Sequence, residues 1–212
     1  MAATPRLEFF YDCSSPWTYF AFTRIQPIME RLALPIQWRP ILVGGVFNAV
    51  NKDLYAAREA MFNSPDSPRM KYFIKDMQDW ARLCGVTTTM PAGHPISSVK
   101  AMRGAFYAGE QGALVPYSRE VFATYWDSDT PDIASDEVLA DICSRVGLDC
   151  EGFFAAIADQ KYKDLLRQNT DELIARGGFG SPTMFINGDD MYFGNDRLEL
   201  VEARLQELLG TS

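Results

Sequence analysis

Histidine, paired cysteines and long apolar runs are scarce in this chain, and each scarcity removes a class of function. Its 212 residues include 1 histidine and 4 cysteines. Cys13, Cys84, Cys143 and Cys150 show neither C-x-x-C nor the paired spacing of a zinc site, so a dithiol centre and a structural metal are both unexpected. Cys84, Cys143 and Cys150 fall in helical patterns and read as small buried hydrophobes in a reducing compartment. Cys13, two residues before Ser15, reads as packed on the strand side or as a redox-sensitive neighbour of Ser15. No apolar run approaches the roughly 18 residues that a membrane span needs. The N-terminus lacks a basic region followed by an apolar core, and the final Gly-Thr-Ser is not a peroxisomal address, so a cytoplasmic location is expected. Positive charge is in the minority, with 20 Lys and Arg against 28 Asp and Glu and a net charge of -8. That balance argues against nucleic acid, whose backbone must be met by clustered cations. An anionic ligand would therefore need a local site, such as a helix N-terminus.

What is present suits a compact α/β protein. With 47% hydrophobic and 23% charged residues, the chain can bury one or two small cores. Leu7-Glu8-Phe9-Phe10-Tyr11 reads as a buried strand, and Pro16 suits the first turn of a helix whose apolar face carries Ile25, Ile28, Met29 and Leu32. Ser15 then stands at a helix N-terminus, where unpaired N–H groups and the macrodipole favour an anion. Ile36 to Ile41 is a second strand. Residues 183 to 209 read as strand, turn, strand and helix, with Asn187-Gly188-Asp189-Asp190 as the hairpin turn. From about 52 to 170 the pattern is predominantly helical, broken near Ser64-Pro65, Gly93-His94-Pro95, Gly109 to Gly112, Pro131 and Gly147. Phe73, Met77, Trp80, Met102, Phe106, Tyr107 and Trp126 in that block are mainly core by their spacing, while some can line an aromatic cleft under a helical roof. His94 lies in a loop and reads as structural or exposed, with general-base work the alternative. Asn195 or Asp196 can cap the last helix.

Three segments carry a resemblance to a known family. Asp12-Cys13-Ser14-Ser15-Pro16-Trp17-Thr18-Tyr19 resembles the D-x-x-C-P-W-C-Y pattern of thioredoxin-like proteins of the DsbA type, with Ser15 and Thr18 in the two cysteine positions. Gly177-Gly178-Phe179-Gly180-Ser181-Pro182-Thr183 resembles their approach to a cis-proline facing the active site. Phe193-Gly194-Asn195-Asp196-Arg197 resembles a glutathione-binding turn, its G-N-D-R favouring 2-hydroxychromene-2-carboxylate isomerases over the G-S-D-R common in mammalian kappa-class glutathione transferases.

The resemblance implies a thioredoxin-like α/β fold with a large α-helical insertion, residues 1–48 and 171–212 forming a discontinuous domain around an inserted 49–170. It implies glutathione as cofactor and Ser15 as the catalytic residue, its hydroxyl holding the glutathione thiolate. Ser181 would pair its backbone with the tripeptide beside Pro182. Asn195 and Asp196 would receive the γ-glutamyl end, with exposed N–H groups on its carboxylate and Asp196 on its ammonium. The stretch from Leu42 to Lys52 resembles the loop over the tripeptide, with Asn51 as the contact and Asn48 as a possible substitute. Lys52 reads as a surface lysine or as a partner of the glycyl carboxylate. Met90-Pro91 and His94-Pro95-Ile96-Ser97-Ser98 resemble further family runs. The activity so implied is glutathione-dependent cis/trans isomerisation of a small aromatic compound by a homodimer. Conjugation by a kappa-like transferase and non-catalytic binding of glutathione or an aromatic ligand are the alternatives.

Overall fold

A computed structural model describes residues 4–50, 53, 60, 64–91, 93–127 and 132–210. Asn51 and Lys52, two of the residues expected over the tripeptide, lie outside the described residues.

Among the described residues, four strands form one mixed sheet in the order β2-β1-β3-β4. Strand β1 (Leu7–Tyr11) pairs in parallel with β2 (Ile36–Pro40) and antiparallel with β3 (Thr183–Ile186), which forms a hairpin with β4 (Asp190–Phe193). The parallel pair needs a crossover, supplied by α1 (Pro16–Arg31). The hairpin turns at Asn187 (φ 54°) and Gly188 (φ 102°), as the sequence predicts. Asn187 accepts from the Arg6 N–H through Oδ1, tying the turn to the start of β1.

The sheet buries both faces. On one side Leu7, Phe9, Tyr11, Met184 and Ile186 join Phe20, Phe22, Ile25 and Met29 of α1. The other face packs Phe10 and Phe185 against Ile41, Val46 and Leu173. These central strands are therefore apolar on successive residues, which explains the aromatic density of β1.

The helices are α2 (Val43–Val50), α3 (Pro68–Cys84), α4 (Val99–Glu110), α5 (Leu114–Asp127), α6 (Asp136–Val146), α7 (Cys150–Ala158), α8 (Gln160–Ala175) and α9 (Leu198–Leu209). Helices α2 and α8 run across residues 48 and 170, so both domain borders expected from the sequence fall inside helices. Residues 43–50 are helical where a loop is expected. Asp12 Oδ2 accepts from the Val43 N–H at 2.8 Å and so supplies an N-terminal acceptor from outside the segment, while Val46 and Phe47 are buried. No described helix is long and apolar enough to cross a membrane.

Candidate functional site

The end of β1, the start of α1 and the approach to β3 meet at Ser15. Its backbone is extended (φ -110°, ψ 122°) and its Oγ accepts from the Thr18 N–H at 3.3 Å, so Ser15 is the N-cap and Pro16 occupies the first helical turn. The same hydroxyl donates to the Ser181 carbonyl at 3.3 Å. Thr18, in the second cysteine-like position, is fully buried and shares a 2.8 Å hydrogen bond with Ser181 Oγ, which also accepts from the Asp12 N–H at 3.1 Å. Ser15, Thr18 and Ser181 thus close a ring of hydrogen bonds that joins helix to strand.

Ser181–Pro182 is cis, as expected, and so is His94–Pro95, for which the sequence carries no signal. The Ser181 carbonyl already accepts from Ser15 and keeps a second lone pair; among the described residues no acceptor meets the Ser181 N–H. Those two groups, plus the Ser15 hydroxyl, form a short backbone edge beside the α1 N-terminus. Pro182 O accepts from the Gly194 N–H at 3.1 Å, which brings the Gly194 turn next to that edge.

Gly194 has φ 103°, and a Cβ built there would stand 2.6 Å from Asp196 Oδ1. Only glycine gives the Asp196 carboxylate that position. Residues 195–197 form a 3-10 turn leading straight into α9, so neither Asn195 nor Asp196 caps α9 as the sequence reading expects. Arg24 of α1 explains the difference: its Nη1 donates to Asn195 O at 2.8 Å and lies 3.5 Å from Oδ1, while its Nη2 pairs with Glu199. Asn195 is buried, and Asp196 is exposed and paired with Arg197 Nη1 at 2.6 Å. Burial raises the pKa of Asp76 in α3 above the usual carboxylate value, and the Asp79 and Asp196 charges add to the rise against the pull of Lys75. Asn48 is exposed on α2.

Asp12 is the residue that sequence reasoning missed. It is 1% exposed, its Oδ1 accepts from the Ser14 N–H, and its Oδ2 accepts from Val43 N–H and Ser98 Oγ. One carboxylate therefore fixes the Ser14-Ser15 turn, the first turn of α2 and the start of α4. Burial pushes its pKa up, against the pull of the Ser14, Val43 and Ser98 hydrogen bonds. The available signal was its place directly after an apolar strand. The adjacent Cys13 is buried, and desolvation followed by the Asp12 charge holds its thiol well above the ordinary cysteine value. It is packed, as expected of the strand side.

The helical block roofs this corner. Trp126 Nε1 donates to Cys13 O at 2.8 Å, and Tyr11 OH shares a hydrogen bond with Ser118 Oγ. Met77, Met102 and Trp126 are core, as their spacing predicts, whereas Phe73 and Trp80 are partly buried and stand near the site. Phe73 meets Trp17 edge-on at 5.5 Å, and Trp80 lies over the Arg24 guanidinium at 4.8 Å. His94 Nδ1 shares a 2.7 Å hydrogen bond with Tyr125 OH and lies against Trp126, a structural setting. Among the described residues no cluster of His, Cys, Asp or Glu can hold a metal.

Comparison with known proteins matches residues 6–206 to the DSBA-like thioredoxin domain model. A 2-hydroxychromene-2-carboxylate isomerase of Pseudomonas putida is 29% identical over 95% of both chains. Glutathione S-transferase kappa 1 of Rattus norvegicus is 27% identical, covering 98% of this chain and 94% of that one. Among solved structures, a 2-hydroxychromene-2-carboxylate isomerase superimposes with a TM-score of 0.77 at 27% identity, covering 96% and 95% of the two chains.

Proposed function

Since the chain belongs to the DSBA-like thioredoxin domain family yet carries Ser15 and Thr18 where that family's thiols stand, we propose that it is an enzyme using a borrowed thiol, a glutathione-dependent isomerase of the 2-hydroxychromene-2-carboxylate type. The observation that carries this reading is the Ser15 hydroxyl, seated at the N-terminus of α1 against the Ser181–Pro182 edge. A disulfide oxidoreductase needs two vicinal thiols, which this corner does not have.

The groups present suit a tripeptide thiol. The Ser181 N–H and C=O can pair with its cysteinyl backbone as a strand edge pairs with an added strand. The turn at Gly194-Asn195-Asp196 stands beside that edge, where N–H groups can meet the γ-glutamyl carboxylate and Asp196 can meet the ammonium. By the resemblance, Asn51, or Asn48 in its stead, would contact the tripeptide.

Glutathione bound there would supply a thiolate able to add to a conjugated carbon of the substrate and to leave again by elimination. Ser15 turns its O–H from the Ser181 carbonyl to the sulfur, and the α1 N-terminus adds a positive potential, so both favour the anion. Ser15 acts as stabiliser and not as nucleophile. Trp17 and Phe73 offer an apolar wall for a small planar substrate next to that sulfur. We assign the protein to the cytoplasm and to a homodimer on the same reading.

Ser15→Ala removes a hydrogen bond to an anion, roughly 1.5–3 kcal/mol, and lowers kcat about 10- to 100-fold. The assay is interconversion of 2-hydroxychromene-2-carboxylate and trans-o-hydroxybenzylidenepyruvate with saturating glutathione, with a control lacking it. Unchanged turnover in the variant, or turnover without glutathione, contradicts the reading. The kappa-class relatives support conjugation by the same Ser15 site as a second reading, favoured if glutathione binds and chloroaromatic electrophiles are conjugated while the chromene is untouched.

A further inference from the structure

The connection between α6 and α7 brings together two thiols that the chemistry above leaves unused. Cys143 lies one turn before Gly147, the left-handed end of α6 (φ 73°), and Cys150 is the first residue of α7. The connection is held at both ends: the Leu148 N–H returns to Cys143 O at 2.9 Å, and Asp149 caps α7 by accepting from the N–H groups of Glu151 and Gly152. Side chains on a helix lean toward its N-terminus, so the Cys143 sulfur covers the turn that contains Ala140. Cys150 Sγ reaches the same turn, donating to Ala140 O at 3.4 Å, which brings it beside the Cys143 side chain. Cys143 is sealed from solvent, whereas Cys150 is half-buried. The elements packed around Cys143 turn Cys150, Asp149, Tyr107 of α4 and Tyr117 of α5 toward it, none of them a cation.

We propose that Cys143 and Cys150 are a reversible dithiol pair that closes to a disulfide by exchange with a small-molecule disulfide such as glutathione disulfide. This does not rest on the proposed function. Cys150, the sulfur reachable from solvent, loses its proton and attacks one sulfur of the small disulfide, forming a mixed disulfide and expelling one small thiolate. Cys143 then loses its proton and attacks the Cys150 sulfur, forming the protein disulfide and expelling the second thiolate. Two protein thiols are oxidised by two electrons, the small disulfide is reduced to two thiols, and the two protons end on them. Closure brings the two sulfurs to about 2.05 Å. Burial raises the Cys143 thiol above the ordinary cysteine value, so the second step is slow at neutral pH and quickens as pH rises.

The test incubates the reduced full-length protein with glutathione disulfide, alkylates the remaining thiols and maps tryptic peptides by mass spectrometry. Trypsin cuts after Arg145, between the two cysteines, so closure appears as a linked peptide pair that dithiothreitol separates. Cys143→Ser is expected to stop at glutathione attached to Cys150, and Cys150→Ser to leave Cys143 unmodified, with circular dichroism checking that both variants fold. Wild-type protein that keeps both thiols alkylatable, or that accumulates glutathione on Cys150 with Cys143 free, overturns the proposal.

Discussion

Ser181 and Asp12 set the geometry around Ser15, and each can be tested alone. Ser181→Ala strands the buried Asp12 N–H and removes the Thr18 hydroxyl partner. A loss of about 1–3 kcal/mol in chemical denaturation is expected, with little change in glutathione KM because the backbone edge survives. Asp12 gives a pH signature. Its pKa is raised in the folded state, so the folded protein binds more protons than the unfolded chain above the ordinary carboxylate pKa. Its contribution to stability therefore falls as pH rises from about pH 4 and levels off above the folded pKa. Asp12→Asn lacks that slope, so denaturation midpoints should move in the variant's favour relative to wild type as pH rises. A difference that stays constant with pH contradicts this account of Asp12. Ser15, Thr18 and Pro182 were legible because each stands in a short local pattern. The work of Asp12 was not, since its partners Val43 and Ser98 are distant in the chain and only folding brings them to one carboxylate.

The turn from β4 into α9 and the helix α2 show how far local rules reach. Gly194 carries both a positive φ and a close approach to Asp196, so Gly194→Ala should push that carboxylate aside. We expect a several-fold rise in glutathione KM with kcat largely retained, together with a stability cost of about 1 kcal/mol or more. An unchanged KM would remove Asp196 from the γ-glutamyl site. Strands β1, β2 and the β3-β4 hairpin follow from apolar runs and an Asn-Gly turn, which are local signals. The absent cap at α9 and the helical state of residues 43–50 follow from Arg24 and Asp12, which reach these elements from elsewhere in the chain. Long-range hydrogen bonds override local capping preferences here, and no window of sequence carries them.

On the scale of the whole molecule, two chain-distant segments build one sheet, and the helical stretch between them folds back to roof the Ser15 corner. The roof is joined to the sheet by Trp126 on Cys13 O, Tyr11 on Ser118 and Ser98 on Asp12. Trp126→Phe keeps most of the ring packing and deletes the donor, leaving a buried carbonyl. The expected loss is about 1–3 kcal/mol, or a Tm several degrees lower by calorimetry. Spacing assigns the large apolar residues of the block mainly to core; Met77, Met102 and Trp126 are buried, while Phe73, Trp80, Phe106 and Tyr107 are partly buried against that core. That Trp126 also grips the end of β1 depends on the path of the whole chain.

The charge on the borrowed sulfur is measured by titrating the ultraviolet absorbance of glutathione thiolate bound to the protein and to Ser15→Ala. A thiol pKa below that of free glutathione is expected in the wild type, rising by about 1–2 units in the variant, as a lost hydrogen bond of roughly 1.5–3 kcal/mol requires. A bound thiol that titrates identically in both proteins would contradict it.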